Sequence, residues 1–318
     1  MMTPLLEVKG LQKLFPVKKG WFQQPSYVHA VNGIDATVYE GETLGIVGES
    51  GCGKSTLGRC ILRLLEPTRG EILFQGRDIS QLPKKEMHAV RRHMQMVFQN
   101  PFDTLNPKLK IGQILTEPLL SHGIPREQRQ SLLEETVEIV GLNKRHLGRY
   151  PHEFSGGQRQ RIGIARALML QPKLIIADEP VSALDVSIQS QILNLMQDLQ
   201  EHLSLTYIFI SHDLSVVEHI SDRVAVMYLG EIVEFADKDK LFLQPLHPYS
   251  QALLSATPTS DPDEKHERII LRGDLPSPSN PPQGCKFHPR CHACMEICRT
   301  EVPRLREVDG RQVACHLY

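Results

Sequence analysis

Eight residues constrain this chain more than any others: Gly48-Glu49-Ser50-Gly51-Cys52-Gly53-Lys54-Ser55. They read G-x-x-x-x-G-K-S. An apolar run of strand type, Thr43-Leu44-Gly45-Ile46-Val47, stands before them. Thr56-Leu57-Gly58-Arg59-Cys60-Ile61-Leu62 follows with helical spacing. Strand, glycine loop and helix form the context in which this motif cradles phosphate. Gly48, Gly51 and Gly53 let the backbone bend tightly, so that successive N–H groups point into one concavity. The helix behind the loop adds the positive end of its dipole. Lys54 supplies a full charge for the β- and γ-phosphates, and Ser55 a hydroxyl ligand for Mg²⁺. Glu49, Ser50, Cys52 and Thr56 belong to the same nucleotide contact. The motif implies a nucleoside triphosphate and is silent on what its hydrolysis drives.

A length of 318 residues allows one large domain and a smaller one. The net charge of −1 gives no reason to expect non-specific binding to nucleic acid. No apolar run approaches the ~20 residues that span a bilayer. The start, Met1-Met2-Thr3-Pro4-Leu5-Leu6-Glu7, lacks the basic and apolar regions of a secretory signal. The expectation is a soluble, cytoplasmic chain whose link to a membrane comes through a partner.

In order, Leu5–Val8 reads as a strand closed by a turn at Gly10, and residues 16–27, with Lys18, Lys19, Gly20, Pro25 and Trp21, as a loop. Val28–Val38 alternates like a hairpin pair of strands. Further strands are expected at Glu71–Gly76, Met94–Phe98, Leu174–Ala177, Tyr207–Ile210, Val224–Met227 and Ile232–Phe235. Residues 84–92 read as a basic, solvated helix face. The pattern is helical from about 111 to 170 and again over Ile188–Leu203. Strands alternating with helices argue for an α/β fold with a mostly parallel sheet, behind a β-rich lead-in. Near residue 257 the composition shifts. Pro258, Pro262, Pro276, Pro278, Pro281 and Pro282 mark an ordered or semi-rigid extension.

Asp178 and Glu179 close the apolar run from Leu174, downstream of the phosphate loop. The second half of a nucleoside-triphosphatase site belongs there. Asp178 would hold Mg²⁺ and Glu179 would polarise the attacking water. With Phe154-Ser155-Gly156-Gly157-Gln158, Gln99, Ser182-Ala183-Leu184-Asp185 and His212 in this order, residues 5–255 or so resemble the ATP-binding cassette (ABC) ATPases. Ser155, Gly156 and Gly157 can lie against phosphate at the start of a helix running from Gln158 to Leu170.

The resemblance implies an ABC-type P-loop fold with a mixed sheet core, an antiparallel β lead-in and a helical signature subdomain. It also implies a head-to-tail dimer in which the phosphate loop of one subunit and the signature, Phe154-Ser155-Gly156-Gly157-Gln158, of the other close over ATP. Phe15 matches the aromatic that stacks on adenine. Gln99 matches the residue that senses Mg²⁺, His212 the switch histidine at the γ-phosphate, and Asp185 the loop crossing to the partner subunit. Every catalytic position matches, so ATPase competence is expected.

A finer resemblance, to the ATPases of dipeptide and oligopeptide importers, rests on three stretches. These are Phe98-Gln99-Asn100-Pro101-Phe102-Asp103-Thr104-Leu105-Asn106-Pro107, Leu246-His247-Pro248-Tyr249-Ser250-Gln251-Ala252-Leu253-Leu254 and Leu275-Pro276-Ser277-Pro278. The chain looks most like the F-type ATPase subunit of a dipeptide importer. That family implies a second, related ATPase, two transmembrane permeases and an extracytoplasmic peptide-binding protein, with the chain peripheral at the cytoplasmic face of the inner membrane. Nickel and glutathione importers belong to the same group, which leaves the cargo open. The expected division is a nucleotide-binding domain over 1–255, its helical subdomain at about 100–170, and a C-terminal extension over 256–318. A soluble ABC protein of translation or repair usually has two cassettes or a coiled coil. This chain has one cassette and no heptad insert. An exporter ATPase would more often be fused to membrane helices, and a metal-sensing regulator would need a DNA-binding module.

Five of the seven cysteines lie in the last 34 residues, spaced Cys285-x5-Cys291-x2-Cys294-x3-Cys298-x16-Cys315. Thiolates at such intervals can surround one metal centre. The family resemblance implies a [4Fe–4S] cluster on Cys285, Cys291, Cys298 and Cys315, with Cys294 as an alternative ligand. Zinc suits four thiolates as well, and free thiols in a small tail are the third reading. Cys52 and Cys60 stand apart from this group.

Overall fold

A computed structural model describes residues 3–17, 26–100, 104–256, 268–271 and 273–318. The expected loop residues 18–25, Pro101-Phe102-Asp103, Pro258 and Pro262 lie outside the described residues. The strands are β1 (Pro4–Val17), β2 (Ser26–Tyr39), β3 (Thr43–Val47), β4 (Arg69–Phe74), β5 (Arg77–Asp78), β6 (Met94–Val97), β7 (Leu174–Asp178), β8 (Thr206–Ile210), β9 (Arg223–Tyr228), β10 (Glu231–Asp237), β11 (Arg306–Val308) and β12 (Arg311–Val313). The chain divides into two compact units. One is built mainly from Gln81–Ile210, the other from Leu5–Thr37, Thr43–Ser80 and Ser211–Tyr318.

In the first unit β7 pairs parallel with β6 on one side and with β8 on the other, Leu174 facing Met94 and Thr206. All five residues of β7 are buried. That is the condition under which a parallel strand reads as an unbroken apolar run. Helix Ile111–Ser121 turns Ile111, Ile114, Leu115 and Leu119 inward, the i, i+3, i+4 spacing of one face. Helix Val186–Leu203 buries Ile192, Leu193, Leu195, Met196 and Leu199, and stops at Ser204 in the left-handed conformation. Helix Lys84–Arg91 buries Met87 alone and is otherwise a solvated face, as its charge pattern requires.

In the second unit β3 pairs parallel with β9. The sheet continues antiparallel through β10 and β12 to β11. A separate antiparallel sheet has the order β2-β1-β4-β5. Here two local expectations fail. Gly10 does not end the first strand: β1 runs on to Val17, and Gly10, at φ +56°, marks an irregularity in its pairing with β4 between Lys9 and Gln12. The Gly10 N–H donates to Asp35 Oδ1 at 2.7 Å. Likewise Val28–Val38 is no hairpin but part of one strand, β2, with Gly33 at φ +72° inside it. A glycine inside a strand pattern accommodates a bend as readily as a turn, and here it does the former. Among the described residues no helix is long and apolar enough to cross a membrane.

The segment after β10 is organised by a buried carboxylate. Glu234 is 0% exposed and accepts the N–H groups of Leu246 (2.8 Å) and His247 (2.9 Å). Burial holds its carboxyl above the usual range. His247 caps helix Pro248–Ser255, its Nδ1 accepting the Tyr249 N–H at 3.0 Å. Burial pushes the His247 imidazole down to about 3. The sign follows. The unfolded imidazole takes up a proton below its ordinary value of about 6.5, and the folded one does not until about 3. This group therefore removes stability as pH falls through that window, while Glu234 acts in the opposite sense. Between pH 7 and pH 5 the His247 contribution is about 2 kcal/mol. Chemical denaturation across this range will show a shallower loss of stability in His247→Asn, which keeps a capping acceptor but cannot titrate. Parallel pH profiles for the two proteins would refute the assignment.

Candidate nucleotide site

The phosphate loop leaves β3, whose five residues are all buried. Gly48 sits at φ +150° and Gly53 at φ +108°. A Cβ on Gly48 would lie 2.2 Å from the Met227 carbonyl oxygen, and one on Gly53 2.0 Å from that of Ala30. Both glycines are thus fixed twice, by conformation and by close approach of backbone. Gly51, at φ +83°, has open space around it, so its requirement is conformational alone. Lys54 is 4% exposed, and its ammonium donates to the carbonyls of Gly48 (2.7 Å) and Glu49 (3.1 Å). The charge is therefore held inside the loop. Ser55 and Thr56 are half-buried in the first turn of helix Lys54–Ile61. The Cys52 thiol is buried, and desolvation pushes it above its ordinary range. Ser50 is exposed at the rim.

Two further expected residues belong to this unit. Phe15, half-buried in β1, carries the Lys13 ammonium 5.0 Å from its ring centroid. His212 follows β8 and is exposed. Its neighbours have structural tasks: the buried Ser211 donates its N–H to Ile46 O at 3.1 Å, and Asp213 caps helix Leu214–Ile220. Within Ser-His-Asp, the histidine is the residue presented outward.

The other unit carries the acidic residues and the signature. Asp178 ends β7 and is 2% exposed. Glu179 then turns into the left-handed region at φ 48°, its N–H held by Ile210 O at 2.9 Å. A non-glycine residue in that region is uncommon, and such strain collects at functional sites. Gln99 Nε2 donates to Glu179 Oε2 at 2.8 Å, which brings together two expected site residues 80 positions apart. Ser155 and Gln158 form a reciprocal cap on helix Gly156–Leu168. The serine hydroxyl accepts the Gln158 N–H at 3.4 Å, and Gln158 Oε1 accepts the Ser155 N–H at 3.1 Å. A Cβ on Gly157 would lie 2.4 Å from Ile188 Cγ2, and one on Gly156 3.4 Å from Leu184 Cδ2. The signature glycines thus meet the Asp185 loop and the helix after it. Asp185 itself is exposed at the start of that helix.

In the cysteine tail, Cys285, Cys291 and Cys294 are half-buried and Cys298 and Cys315 are buried. The Cys285 N–H donates to the Cys298 carbonyl at 2.9 Å. Burial pushes the thiols of Cys285 and Cys291 up, to about 12 and about 11, and the charges of the other cysteines, Cys298 and Cys315 among them, push each further. Cys294 acts on Cys291, while its own Sγ–H reaches the Met295 carbonyl. Among the described residues no group of three or more His, Cys, Asp or Glu side chains is arranged to hold a metal ion. Two contacts to Glu49 escaped the sequence reading, from Tyr249 and Arg290.

Residues 31–182 match the model of the ABC transporter family. The oligopeptide transport ATP-binding protein AppF of Bacillus subtilis is 55% identical over 99% of this chain and 97% of its own length. The chain belongs to the ABC transporter ATP-binding family. The dipeptide transport ATP-binding protein DppF of Escherichia coli is 53% identical over 99% of this chain and 95% of that one. Residues 233–298 match a second model, the C-terminal region of oligopeptide/dipeptide transporters. Among solved structures, cbiO1 of Clostridium perfringens, part of the ABC transporter complex cbiONQ, has a TM-score of 0.66 at 27% identity, covering 76% of this chain and 91% of that one. A dimeric ATP-binding cassette bound to ADP and Pi has a TM-score of 0.64 at 29% identity, covering 73% and 98%. This ABC ATPase therefore carries the phosphate loop and the acidic pair in a fold shared with other cassettes. The second matched region begins at the strand of Glu234 and takes in Tyr249 and Arg290.

The packing of Gly157 gives a direct test. Gly157→Ala must displace Ile188 or the helix start, and overpacking of this kind costs about 1–3 kcal/mol. Its melting temperature should drop, and Ile188→Ala in the same chain should restore most of the loss. A Gly157→Ala protein as stable as the parent would overturn the packing account.

Proposed function

We propose that this ABC ATPase is one of two that power the import of dipeptides and short oligopeptides, at the cytoplasmic face of the inner membrane. The observation that carries the reading is the union, in one chain, of a complete nucleotide motif set with the peptide-transporter C-terminal region, matched over residues 233–298. Identity of 55% and 53% to oligopeptide and dipeptide transport ATP-binding proteins supports the same cargo class. Two permeases, a peptide-binding protein and a second, related ATPase complete the assembly. Nickel or glutathione as cargo would use the same engine.

In this reading Lys54 and the loop N–H groups bind the β- and γ-phosphates, while Ser55, Gln99 and Asp178 attend Mg²⁺. Glu179 polarises water, a role its bond from Gln99 supports. His212 contacts the γ-phosphate, Phe15 stacks on adenine, and Ser155, Gly156, Gly157, Gln158 and Asp185 serve the ATP of the partner ATPase. The nucleotide-binding domain extends over 1–255 with its helical subdomain at about 100–170, and the extension over 256–318. Cys285, Cys291, Cys298 and Cys315, which are not drawn together around a metal position among the described residues, would hold a [4Fe–4S] cluster, with Cys294 as an alternative ligand and zinc as the alternative metal. What supports this is the donor chemistry: five thiols within the last 34 residues, soft ligands of the kind such a group takes. When bound, the group would cross-link that tail.

Glu179→Gln should bind ATP with near-parental affinity and hydrolyse it at least about a hundredfold more slowly, whereas Lys54→Ala should lose binding itself. Steady-state turnover and equilibrium binding separate the two, and near-normal turnover in both would sink the mechanism. Anaerobic co-purification of the tagged chain, with metal analysis and an absorption spectrum, tests the assembly. Two multi-span permeases, a second ATPase and iron with a cluster band are the expected result. A chain that comes alone, carrying zinc or no metal, would overturn the transport and cluster proposals while leaving the ATPase intact.

A further inference from the structure

The phosphate loop is held from behind by the C-terminal region of its own unit. Glu49, the second residue of the loop, donates its N–H to the Tyr249 hydroxyl at 2.9 Å. Its carboxylate receives both terminal nitrogens of Arg290, Nη1 to Oε2 at 2.6 Å and Nη2 to Oε1 at 3.0 Å. The pair spans 241 positions of sequence, and the arginine side chain is 7% exposed against 28% for Glu49. Two parallel charge-assisted bonds fix orientation as well as charge, and a lysine cannot reproduce that fork.

Arg290 is itself firmly placed. It ends the short turn His288–Arg290, one residue after which comes Cys291. Phe287, on the other side of the turn, is buried against Tyr228 and Tyr249, with ring centroids 5.3 and 5.4 Å away, and the two tyrosines lie 4.7 Å from each other. Lys286 donates to Leu229 O at 3.0 Å and pairs with Glu231 at 2.9 Å. The aromatic cluster and this anchor seat the tail on the strand ends beside the loop.

A carboxylate inside a phosphate-binding loop needs explanation. Left ionised and unpaired, Glu49 would repel the triphosphate that the loop N–H groups and Lys54 attract. Arg290 cancels that charge and points both carboxylate oxygens away from free rotation, while Tyr249 takes up the backbone N–H of the same residue. We infer that Arg290 is a positioning residue for the phosphate loop: through Glu49 it sets the affinity for nucleotide, so that the C-terminal tail is part of the nucleotide site. The inference rests on the loop binding ATP, which the parental protein's own affinity tests separately. Because Arg290 adjoins Cys291, displacement of that part of the tail would be read out at the loop as weaker ATP binding.

The test is ATP affinity by calorimetry, with kcat and KM, in the full chain. Arg290→Ala should weaken ATP binding and raise KM about tenfold while kcat stays within about threefold. Arg290→Lys, a point charge without the fork, should fall in between. Glu49→Gln removes the charge that Arg290 answers, so Glu49→Gln/Arg290→Ala should bind ATP no worse than Glu49→Gln alone. If Arg290→Ala unfolds the tail, judged by loss of its thiol protection, Arg290→Lys decides by the same measure. Affinity within twofold of the parent in Arg290→Lys and in a folded Arg290→Ala would overturn the inference, and so would losses that simply add in the double variant. A parental protein that fails to bind ATP would instead refute the nucleotide site itself.

Discussion

The close approach of two carbonyl oxygens to the phosphate loop is the constraint on which the rest depends. Met227 O and Ala30 O press against the positions where Gly48 and Gly53 would carry side chains. At these two glycines backbone from β9 and β2 lies directly behind the loop. Those strands are in turn held by pairing, β9 to β3 in parallel register, with Gly45 opposite Val224 and Val47 opposite Val226. A phosphate cradle is therefore not a property of eight residues. It depends on neighbouring strands that bring other backbone within contact of Gly48 and Gly53, where a side chain could not fit.

The signature and the acidic strand end follow the same logic with different means. In the signature, Ser155 and Gln158 satisfy each other's backbone N–H, so the helix start is ordered by its own side chains. Gly157 then allows Ile188 to approach, which joins that start to the helix beginning after Asp185. At the end of β7 the order comes from two hydrogen bonds that hold a strained residue. Glu179 is held left-handed between a strand and Pro180, and its side chain is further held by Gln99. A carboxylate fixed at both backbone and side chain loses little freedom on meeting a water molecule, which is what a general base or polarising group requires.

Much of this was legible in the sequence because it is local. The phosphate-loop motif, the apolar run ending in Asp178-Glu179 and the helix start after Ser155-Gly156-Gly157 are each written in residues within a few positions of one another. The sequence could not distinguish a glycine that ends a strand from one that bends it, and so misread Gly10 and Gly33. Both conformations satisfy the same pattern, and the choice is made by pairing with β4 and by the bond from Gly10 to Asp35. Nor could it supply the partner of Glu49, since a salt bridge across 241 positions leaves no local trace. Gly157 read as a phosphate contact, and its steric reason, Ile188, emerged only with the packing of two helices.

Residues 233–298 show how a specialised region attaches to a general engine. Its first polar element, Glu234, is entirely buried and spends both carboxylate oxygens on the backbone before helix Pro248–Ser255. That fixes where the helix begins. The helix start fixes Tyr249, and Tyr249, through its hydroxyl, fixes the backbone of Glu49. Each link exchanges a costly burial for a defined direction, since an ionised or polar group buried without its partners would be strongly unfavourable. The chain of partners runs from a carboxylate to a capped helix to the phosphate loop. A change in this matched region can therefore reach the phosphate loop without any moving domain, through the bonds of Glu234, His247 and Tyr249.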